Sequence, residues 1–377
     1  MRARQPRWIA ACAAGVLSVL LAATPAAADS TRGRQWHLST LDVAAAHRVS
    51  TGEGVTVALI DTGVAAHPDL AGNVLPGIDL TGGGGDGRTD TDGHGTAMAG
   101  LIAAHGHGQD GALGIAPGAK ILPIRAKFGK IGSSPNVAKG IGLAVDRGAK
   151  VISISSVTGT FTALKQAIQD AVARDVVVVA AVGNRPGSVA VGYPARYPGV
   201  LAVGATGRDG SLAKVSVTGP EVMLTAPGVD IVSTDSTGDY RIATGTSDST
   251  AIVAGAAALI RSRYPDATAA EVIHRLTATA TDKGPPGRDP QYGYGALNLV
   301  SALTTANLPA AAPPSASASP VVPAPTATAT ATPINASGPI FRLNTAVFAA
   351  IGITALIVVM AGVLLVWLIA RRRRRRH

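Results

Sequence analysis

Asp61, His94 and Ser247 are the three side-chain types that nucleophilic acyl transfer requires. A serine hydroxyl is a weak nucleophile at neutral pH, so it needs a histidine base within hydrogen-bond reach and a carboxylate that fixes the tautomer of that histidine. Each of the three stands within two residues of a glycine, and each lies where a regular element is predicted to begin or end. The chain therefore carries the components of an acyl-transfer site, provided that the fold brings them together.

Each residue also has an ordinary interpretation when it is taken alone. Asp61 follows the apolar run "VALI" and can equally be a metal ligand, a helix cap or an orienting acid. His94, between two glycines at the start of a small-residue helix, can be a plain loop histidine. Ser247 opens the buried-helix pattern "TSDSTAIVAG", but Asp248 follows it at once. That carboxylate leaves open whether Ser247 is an active nucleophile or the remnant of one.

The pattern of the surrounding sequence predicts an α/β fold that can position these residues. Five short β-branched runs lack polar alternation, which is typical of parallel strands buried on both faces. These runs lie at residues 55–60, 120–126, 150–155, 176–182 and 200–205. Helical patterns lie at residues 98–104, 136–147, 161–174, 247–261 and 268–279. The alternation predicts a mostly parallel sheet with helices on both faces, in which chemistry gathers at the carboxyl ends of the strands.

Four motifs in this region resemble those of the subtilisin-family (S8) serine proteases. "LIDTGV", with "HPDL" just after it, resembles the aspartate motif, and "DGHGTAMAG" resembles the histidine motif. "AVGN" resembles the segment that supplies the oxyanion asparagine, and "GTS" followed by "VAG" resembles the serine motif. The chain order Asp, His, Ser is also that of subtilisin. The resemblance covers about residues 54–303 and implies a subtilisin-like fold and serine endopeptidase activity.

The resemblance implies roles for four residues. Ser247 would attack the scissile carbonyl, and His94 would take its proton and return it to the leaving amine. Asp61 would orient the imidazole and stabilise the imidazolium. The side chain of Asn184, together with the N–H of Ser247, would hold the oxyanion. Without the resemblance, Asn184 would be interpreted as a turn residue after a buried strand.

Two positions depart from the family pattern. Asp248 stands where the family usually has an apolar or small residue. A carboxylate in the first turn of a helix stabilises that helix, but a dry carboxylate aimed at the oxyanion would oppose catalysis strongly. Val157 stands where the family's pocket-lining Ser-Leu-Gly pattern has glycine, so we expect a narrower primary specificity pocket.

The N-terminal residues 1–28 are predicted to be a secretory signal peptide. Three arginines precede an apolar run, and an Ala-Ala-Ala cleavage site follows it. Cys12, the only cysteine, lies inside this segment, so the mature chain would form no disulfide. Residues 29–53 would then be a short N-terminal extension before a catalytic domain at residues 54–305.

The C-terminal end predicts a membrane anchor. Residues 345–370 are uncharged, apolar and long enough to cross a bilayer, and residues 371–377 form a basic tail with six arginines. The positive-inside rule places this tail in the cytoplasm and the catalytic domain outside the cell membrane. Residues 306–342, rich in proline, alanine, serine and threonine, are predicted to be a stalk. The six arginines account for most of the net charge of +10, so that charge does not indicate nucleic-acid binding.

This organisation narrows the resemblance to the mycosins, the membrane-anchored subtilases of type VII secretion systems. It implies protein substrates, limited processing of exported proteins and partnership with the membrane secretion complex. Two alternatives stay open. Asp248 and Val157 favour a structural component of that complex with weak or no proteolysis. A general surface protease is disfavoured by the tether and by the lack of a long prodomain.

We expect no cofactor and no catalytic metal. Many subtilases bind calcium, but Asp86, Asp90 and Asp92 lack the regular oxygen spacing of a calcium loop. His105 and His107 lack further metal ligands at a recognisable spacing, which favours a solvated turn.

Overall fold

The computed structural model describes residues 30–107, 110–128 and 131–308, and these form an α/β fold. The α-helices in this part of the chain are α1 (Thr31–Arg34), α2 (Trp36–Thr40), α3 (Val43–His47), α4 (His94–Ala103), α5 (Ser134–Asp146), α6 (Thr162–Ala173), α7 (Thr246–Arg263), α8 (Ala269–Ala278) and α9 (Leu299–Thr304). The strands are β1 (Thr56–Asp61), β2 (Ile78–Asp79), β3 (His105–His107), β4 (Asp110–Leu113), β5 (Lys120–Arg125), β6 (Lys127–Phe128), β7 (Ile131–Gly132), β8 (Val151–Ile154), β9 (Val177–Ala181), β10 (Val200–Thr206), β11 (Leu224–Pro227), β12 (Ile231–Thr234) and β13 (Tyr240–Ala243).

A seven-stranded sheet forms the centre of the fold. Its order is β11-β10-β9-β8-β1-β5-β2, and every neighbouring pair is parallel. The five predicted strands are confirmed as β1, β5, β8, β9 and β10. The sequence did not predict the two edge strands, because β2 has two residues and β11 is a short run that ends in proline.

Successive residues of β1 face two different cores. Val57 and Leu59 pack in a core that includes side chains of α4, α7 and α8. Ala58 and Ile60 pack in a second core that includes side chains of α5 and α6. Helices therefore cover both faces of the sheet. This double burial explains why the strands lack polar alternation in the sequence.

The chain changes its direction of progress across the sheet at β1. Strands β5 and β2 lie on one side of β1, and strands β8 to β11 lie on the other. In open α/β sheets such a reversal leaves a crevice at the carboxyl ends of the strands, where sites form. Asp61 is the last residue of β1 and lies at that crevice.

The helices predicted after the last sheet strand are confirmed. α7 has 18 residues, nearly all of them buried, and it packs against five strands of the sheet. Its Gly255 meets Ile115 so closely that a Cβ there would lie 2.7 Å from that side chain. α8 opens with the predicted capping box, in which Thr268 and Glu271 each accept a hydrogen bond from the other's backbone N–H.

The N-terminal extension contains three short helices that the sequence analysis did not predict. Helices of four or five residues are too short to show a hydrophobic period. Gln35 donates from Nε2 to the carbonyl oxygens of Leu113 and Val232, at 3.1 and 3.2 Å. Trp36 donates from Nε1 to the carbonyl oxygen of Val229 at 3.0 Å. These contacts hold the extension against the strands β4 and β12.

None of the helices within the described ranges is both long and apolar enough to cross a membrane. The predicted signal peptide, the stalk from residue 309 onward, the membrane span at residues 345–370 and the basic tail lie outside the described residues.

Candidate active site

Asp61 and His94 form a direct hydrogen bond at the end of β1. Nδ1 of His94 lies 2.8 Å from Oδ1 of Asp61, which also accepts from the N–H of Thr62 at 2.7 Å. Burial opposes ionisation of Asp61, but the charges of His94 and Lys127 and the hydrogen bonds from His94 and Thr62 outweigh it and lower the pKa to about 2. Asp61 is therefore an anion at neutral pH, and its bond to Nδ1 leaves Nε2 of His94 as a base.

The loop before α4 fixes the position of His94. Oδ1 of Asp90 accepts from the N–H of Gly93 at 2.9 Å, and Oδ2 accepts from the N–H of Thr96 at 2.9 Å. Gly95 donates to Oγ1 of Thr62 at 2.9 Å, and a Cβ on Gly95 would collide with the carbonyl oxygen of Gly63. The glycine after His94 is thus required because α4 begins in direct contact with the loop that follows β1.

Ser247 is the second residue of α7 and lies beside the end of β8. Its Oγ donates to the carbonyl oxygen of Ser155 at 3.1 Å, while Oγ of Ser155 donates to the carbonyl oxygen of Ser247 at 3.0 Å. The Ser247 hydroxyl is therefore engaged by a backbone acceptor and must reorient before it donates to His94. The hydrogen bond from a catalytic serine to its histidine is commonly unformed before substrate binds.

Asn184 follows β9 and is oriented by the residue before Ser247. Its Oδ1 accepts from the N–H and the hydroxyl of Thr246, at 2.9 and 3.1 Å. The amide oxygen is thereby occupied, and Nδ2 remains as a donor. The N–H of Ser247 is also a free donor, because the first N–H groups of a helix have no partner within the helix. These two donors are the ones that the sequence predicts for an oxyanion.

The carboxyl group of Asp248 is buried at the start of α7 and is not solvated. It is 3% exposed, and its Oδ1 has no hydrogen-bond partner among the described residues. A Cβ built on Gly245 would lie 3.7 Å from Oδ2 of Asp248 and 3.2 Å from Nδ2 of Asn184, so both side chains lie beside Gly245, two residues before Ser247. Burial raises the pKa of Asp248 to about 6, although the charges of His94 and Arg241 act to lower it.

Val157 fills the space between the segment after β8 and the segment after β9. A Cβ on Gly192 would collide with Cγ1 of Val157, and a Cβ on Gly183 would lie 3.3 Å from its Cγ2. The valine side chain thus occupies the gap that the smaller glycine of the family pattern would leave open.

Lys127 is a site residue that the sequence analysis missed. It is 4% exposed, and its Nζ lies 3.3 Å from Oδ1 of Asp61. The neighbouring Arg125 pairs with Asp79 at 3.0 Å and stands in register with Asp61 across β1 and β5. The predicted strand ended at Ala126, and a lysine after a strand is usually exposed to solvent. One feature of the sequence could have identified Lys127. It stands two residues beyond the end of β5, which is the parallel neighbour of β1.

Four of the five candidate metal ligands are engaged by protein partners, and the fifth, Asp92, is exposed. Asp86 pairs with Arg88 at 2.7 Å, and Asp90 caps α4 as described. His107 bonds Asp69 at 2.6 Å, and Nε2 of His105 bonds the carbonyl oxygen of Ala71. Within the described ranges, no group of three or more His, Cys, Asp or Glu side chains is arranged to hold a metal ion.

The candidate site residues lie at the carboxyl ends of the parallel strands β1, β5, β8 and β9. Asp61 and His94 are joined directly, Ser247 and Asn184 are joined through Thr246 and the start of α7, and Lys127 and Asp248 add a buried cation and a buried carboxyl group. A hydroxyl, a histidine base with a carboxylate partner and two N–H donors are the groups needed for nucleophilic acyl transfer.

Comparison with known proteins gives consistent matches. Residues 52–295 match the model of the subtilase family, peptidase S8. The chain is 38% identical to subtilisin Savinase of Lederbergia lenta over 274 residues, which cover 71% of this chain and 97% of that protein. It is 37% identical to mycosin-3 of Mycobacterium tuberculosis over 403 residues, covering 89% of this chain and 83% of that protein.

Solved structures match as well. The MycP3 protease from the type VII (ESX-3) secretion system is 35% identical, with a TM-score of 0.65 over 71% of this chain and 88% of its own. MycP1, described as a serine protease and an essential component of the type VII (ESX-1) secretion system, is 34% identical, with a TM-score of 0.67 over 74% of this chain and 90% of its own.

Proposed function

The chain belongs to the subtilase family of serine proteases, and we propose that it cleaves peptide bonds with Ser247, His94 and Asp61 as its catalytic residues and Asn184 as an oxyanion donor. The observation that carries this proposal is the 2.8 Å hydrogen bond between the buried Asp61 and Nδ1 of His94. It leaves Nε2 as the base on the side of the imidazole that a nucleophile needs.

The reaction follows from these positions. Oγ of Ser247 attacks the scissile carbonyl carbon while Nε2 of His94 takes the hydroxyl proton, and Asp61 stabilises the imidazolium that forms. Nδ2 of Asn184 and the N–H of Ser247 donate to the oxyanion. The carbon–nitrogen bond then breaks, and His94 gives its proton to the leaving amine. Water repeats the sequence on the acyl-enzyme, which frees Ser247.

Val157 limits the side chain that the primary specificity pocket accepts. In the family, this pocket lies beside the segment that corresponds here to the continuation of β8, residues Ser155, Ser156 and Val157. Because Val157 is packed against Gly192 and Gly183, the substrate residue before the scissile bond is small, such as glycine, alanine or serine.

The same chain is tethered outside the cell membrane and acts on proteins exported by a type VII secretion system. The similarity to mycosin-3 and to the MycP proteases supports this role. Residues 1–28 direct export, residues 345–370 anchor the chain, residues 371–377 stay in the cytoplasm and residues 306–342 are the stalk. The apolar stretch at residues 345–370 and the six arginines after it support this placement.

A second candidate is a structural component of the secretion complex with weak proteolysis. The dry carboxyl group of Asp248 favours it, because an anion on the oxyanion side opposes the charge that develops during attack.

A chromosomal Ser247→Ala substitution separates the two candidates. If the chain acts as a protease, this strain is expected to accumulate full-length exported substrates while the secretion complex still assembles. A purely structural component shows the parental pattern of exported proteins, although deletion of the whole chain abolishes export. Ser211→Ala, at an exposed serine, is the matched control and is expected to leave substrate processing unchanged.

A further inference from the structure

The strongest unexplained feature near the site is the lysine that shares an oxygen with His94. Nζ of Lys127 lies 3.3 Å from Oδ1 of Asp61, and Nδ1 of His94 lies 2.8 Å from the same atom. Both Lys127 and Asp61 are almost fully removed from solvent. An ammonium group in this position offsets part of the negative field that Asp61 exerts on the imidazole, because buried charges are poorly screened.

The second unexplained feature is Asp248 on the other side of the site. It is 3% exposed, its Oδ1 lacks a hydrogen-bond partner among the described residues, and it interacts electrostatically with His94. A buried carboxyl oxygen without a hydrogen-bond partner is costly to keep. Burial of this group next to Ser247 therefore has a free-energy cost, which a role in the site offsets.

We propose that Lys127 and Asp248 are a compensating pair of positioning residues, in which Lys127 offsets the field of Asp61 at His94 and the Asp248 carboxylate restores it from α7. With both acids ionised, two anions and one cation leave one net negative charge around His94, the same as a single carboxylate partner. The pair therefore keeps the histidine a base at the working pH. This inference rests on the proposed role of His94 as the general base.

Other charged groups near the site are accounted for. Arg125 is paired with Asp79 at 3.0 Å. Arg241, on β13, is half-buried and acts on Asp248. On the loop before His94, Asp86 pairs with Arg88, Asp90 accepts from the backbone at the start of α4, and Asp92 is exposed to solvent. Of the groups named, only Lys127 contacts Oδ1 of Asp61, the oxygen that is also hydrogen-bonded to His94.

The test measures the protonation of His94 without requiring catalysis. Diethyl pyrocarbonate acylates neutral imidazole, and mass spectrometry reads its rate at each histidine of the detergent-solubilised full chain. The rate at His94 is followed from about pH 5 to about pH 9 in a Ser247→Ala background. Lys127→Met is expected to move the half-maximal rate to higher pH by about one unit, and Asp248→Asn to move it to lower pH by about as much. The double variant returns close to the parent.

Controls make each outcome decisive. Lys127→Arg keeps the charge and is expected to keep the parental profile, and Lys165→Met removes an exposed lysine charge on α6 without effect. The buried His37 stays unreactive while the chain is folded, so it reports any unfolded variant. An unchanged profile in folded Lys127→Met, or shifts of the same sign in both single variants, overturns the inference. Failure of the proposed function is seen separately, as absence of proteolysis in the chain that retains Ser247.

Discussion

Val157 packs so closely against Gly192 that a Cβ on the glycine would collide with it. The two residues come from the segments after β8 and β9, and their contact closes the space in which the family places its primary specificity pocket. In the proposed function, this contact limits the substrate residue before the scissile bond to a small side chain.

Val157→Gly is expected to admit larger side chains. Two peptide substrates are compared that differ only in alanine or phenylalanine before the scissile bond. The kcat/KM value for the phenylalanine peptide, divided by that for the alanine peptide, is expected to rise on the order of tenfold or more. Val189→Gly, at a valine that is 86% exposed, is the matched control. A ratio that stays at the parental value in Val157→Gly would show that the pocket lies elsewhere.

Asp248 makes stability depend on pH. Burial raises its pKa from an ordinary 3.8 to about 6, so the folded chain holds the proton more tightly than the unfolded chain. The contribution of Asp248 to the free energy of unfolding is fully present below pH 3.8 and is lost as pH rises through 6. Above that pH, Asp248→Asn is expected to be more stable than the parent by roughly 3 kcal/mol, and the difference should vanish below about pH 4.

Thermal unfolding at pH 8 and pH 4 measures this effect in the detergent-solubilised full chain. Asp266→Asn, at an exposed aspartate, controls for the loss of one negative charge. Equal stabilisation at both pH values would contradict the assignment of the effect to ionisation of Asp248.

His37 produces pH dependence of the opposite sense. Burial lowers its pKa from 6.5 to about 3, and neither ring nitrogen has a hydrogen-bond partner among the described residues. The unfolded chain therefore takes up the proton first as pH falls. Stability is expected to fall by up to about 1.4 kcal/mol for each pH unit below 6.5, until pH approaches 3.

His37→Leu removes this titration. The free energy of unfolding of the variant, relative to that of the parent, is expected to be about 2 kcal/mol larger at pH 5 than at pH 7. Thermal unfolding measures both values. His105→Leu, at an exposed histidine, should not change the pH dependence. A parent and a His37→Leu variant with parallel pH dependence would show that His37 does not control acid stability.

Asn184 has two roles that substitution can separate. Its Oδ1 accepts from Thr246, and its Nδ2 is the proposed oxyanion donor. Asn184→Ala removes both groups, whereas Asn184→Asp keeps the acceptor and removes the donor. Both variants are expected to lower kcat by a factor on the order of 100 to 1000, with a smaller effect on KM. If folded Asn184→Asp retained the parental kcat, the oxyanion role would be wrong.

The parts of this molecule that local sequence specifies were predictable. The five long sheet strands are apolar runs buried on both faces, and Asp61, His94, Asn184 and Ser247 stand in motifs where glycine permits close approach. The structure joins Asp61 to His94 and directs Oδ1 of Asn184 to Thr246, and the catalytic roles of these residues stay predictions.

The remaining features depend on contacts between distant segments. Lys127 is buried because β5 carries it next to the end of β1, and no local pattern distinguishes it from an exposed lysine. The burial of Asp248 and the bond from Ser247 to Ser155 depend on how α7 meets β8 and β9. Helices of four or five residues in the extension and strands of two residues have too little sequence to show a period.

Reaction of Ser247 with a fluorophosphonate probe tests whether Ser247, His94 and the oxyanion donors form a working catalytic site. The probe phosphonylates a serine only when a histidine base and oxyanion donors activate it. The full chain is labelled in membranes, with Ser247→Ala and His94→Ala as blanks and Lys165→Met as a folded control. We predict labelling at Ser247 that both blanks abolish and the control retains. A folded chain that leaves Ser247 unlabelled, while an active subtilisin in the same tube is labelled, would contradict it.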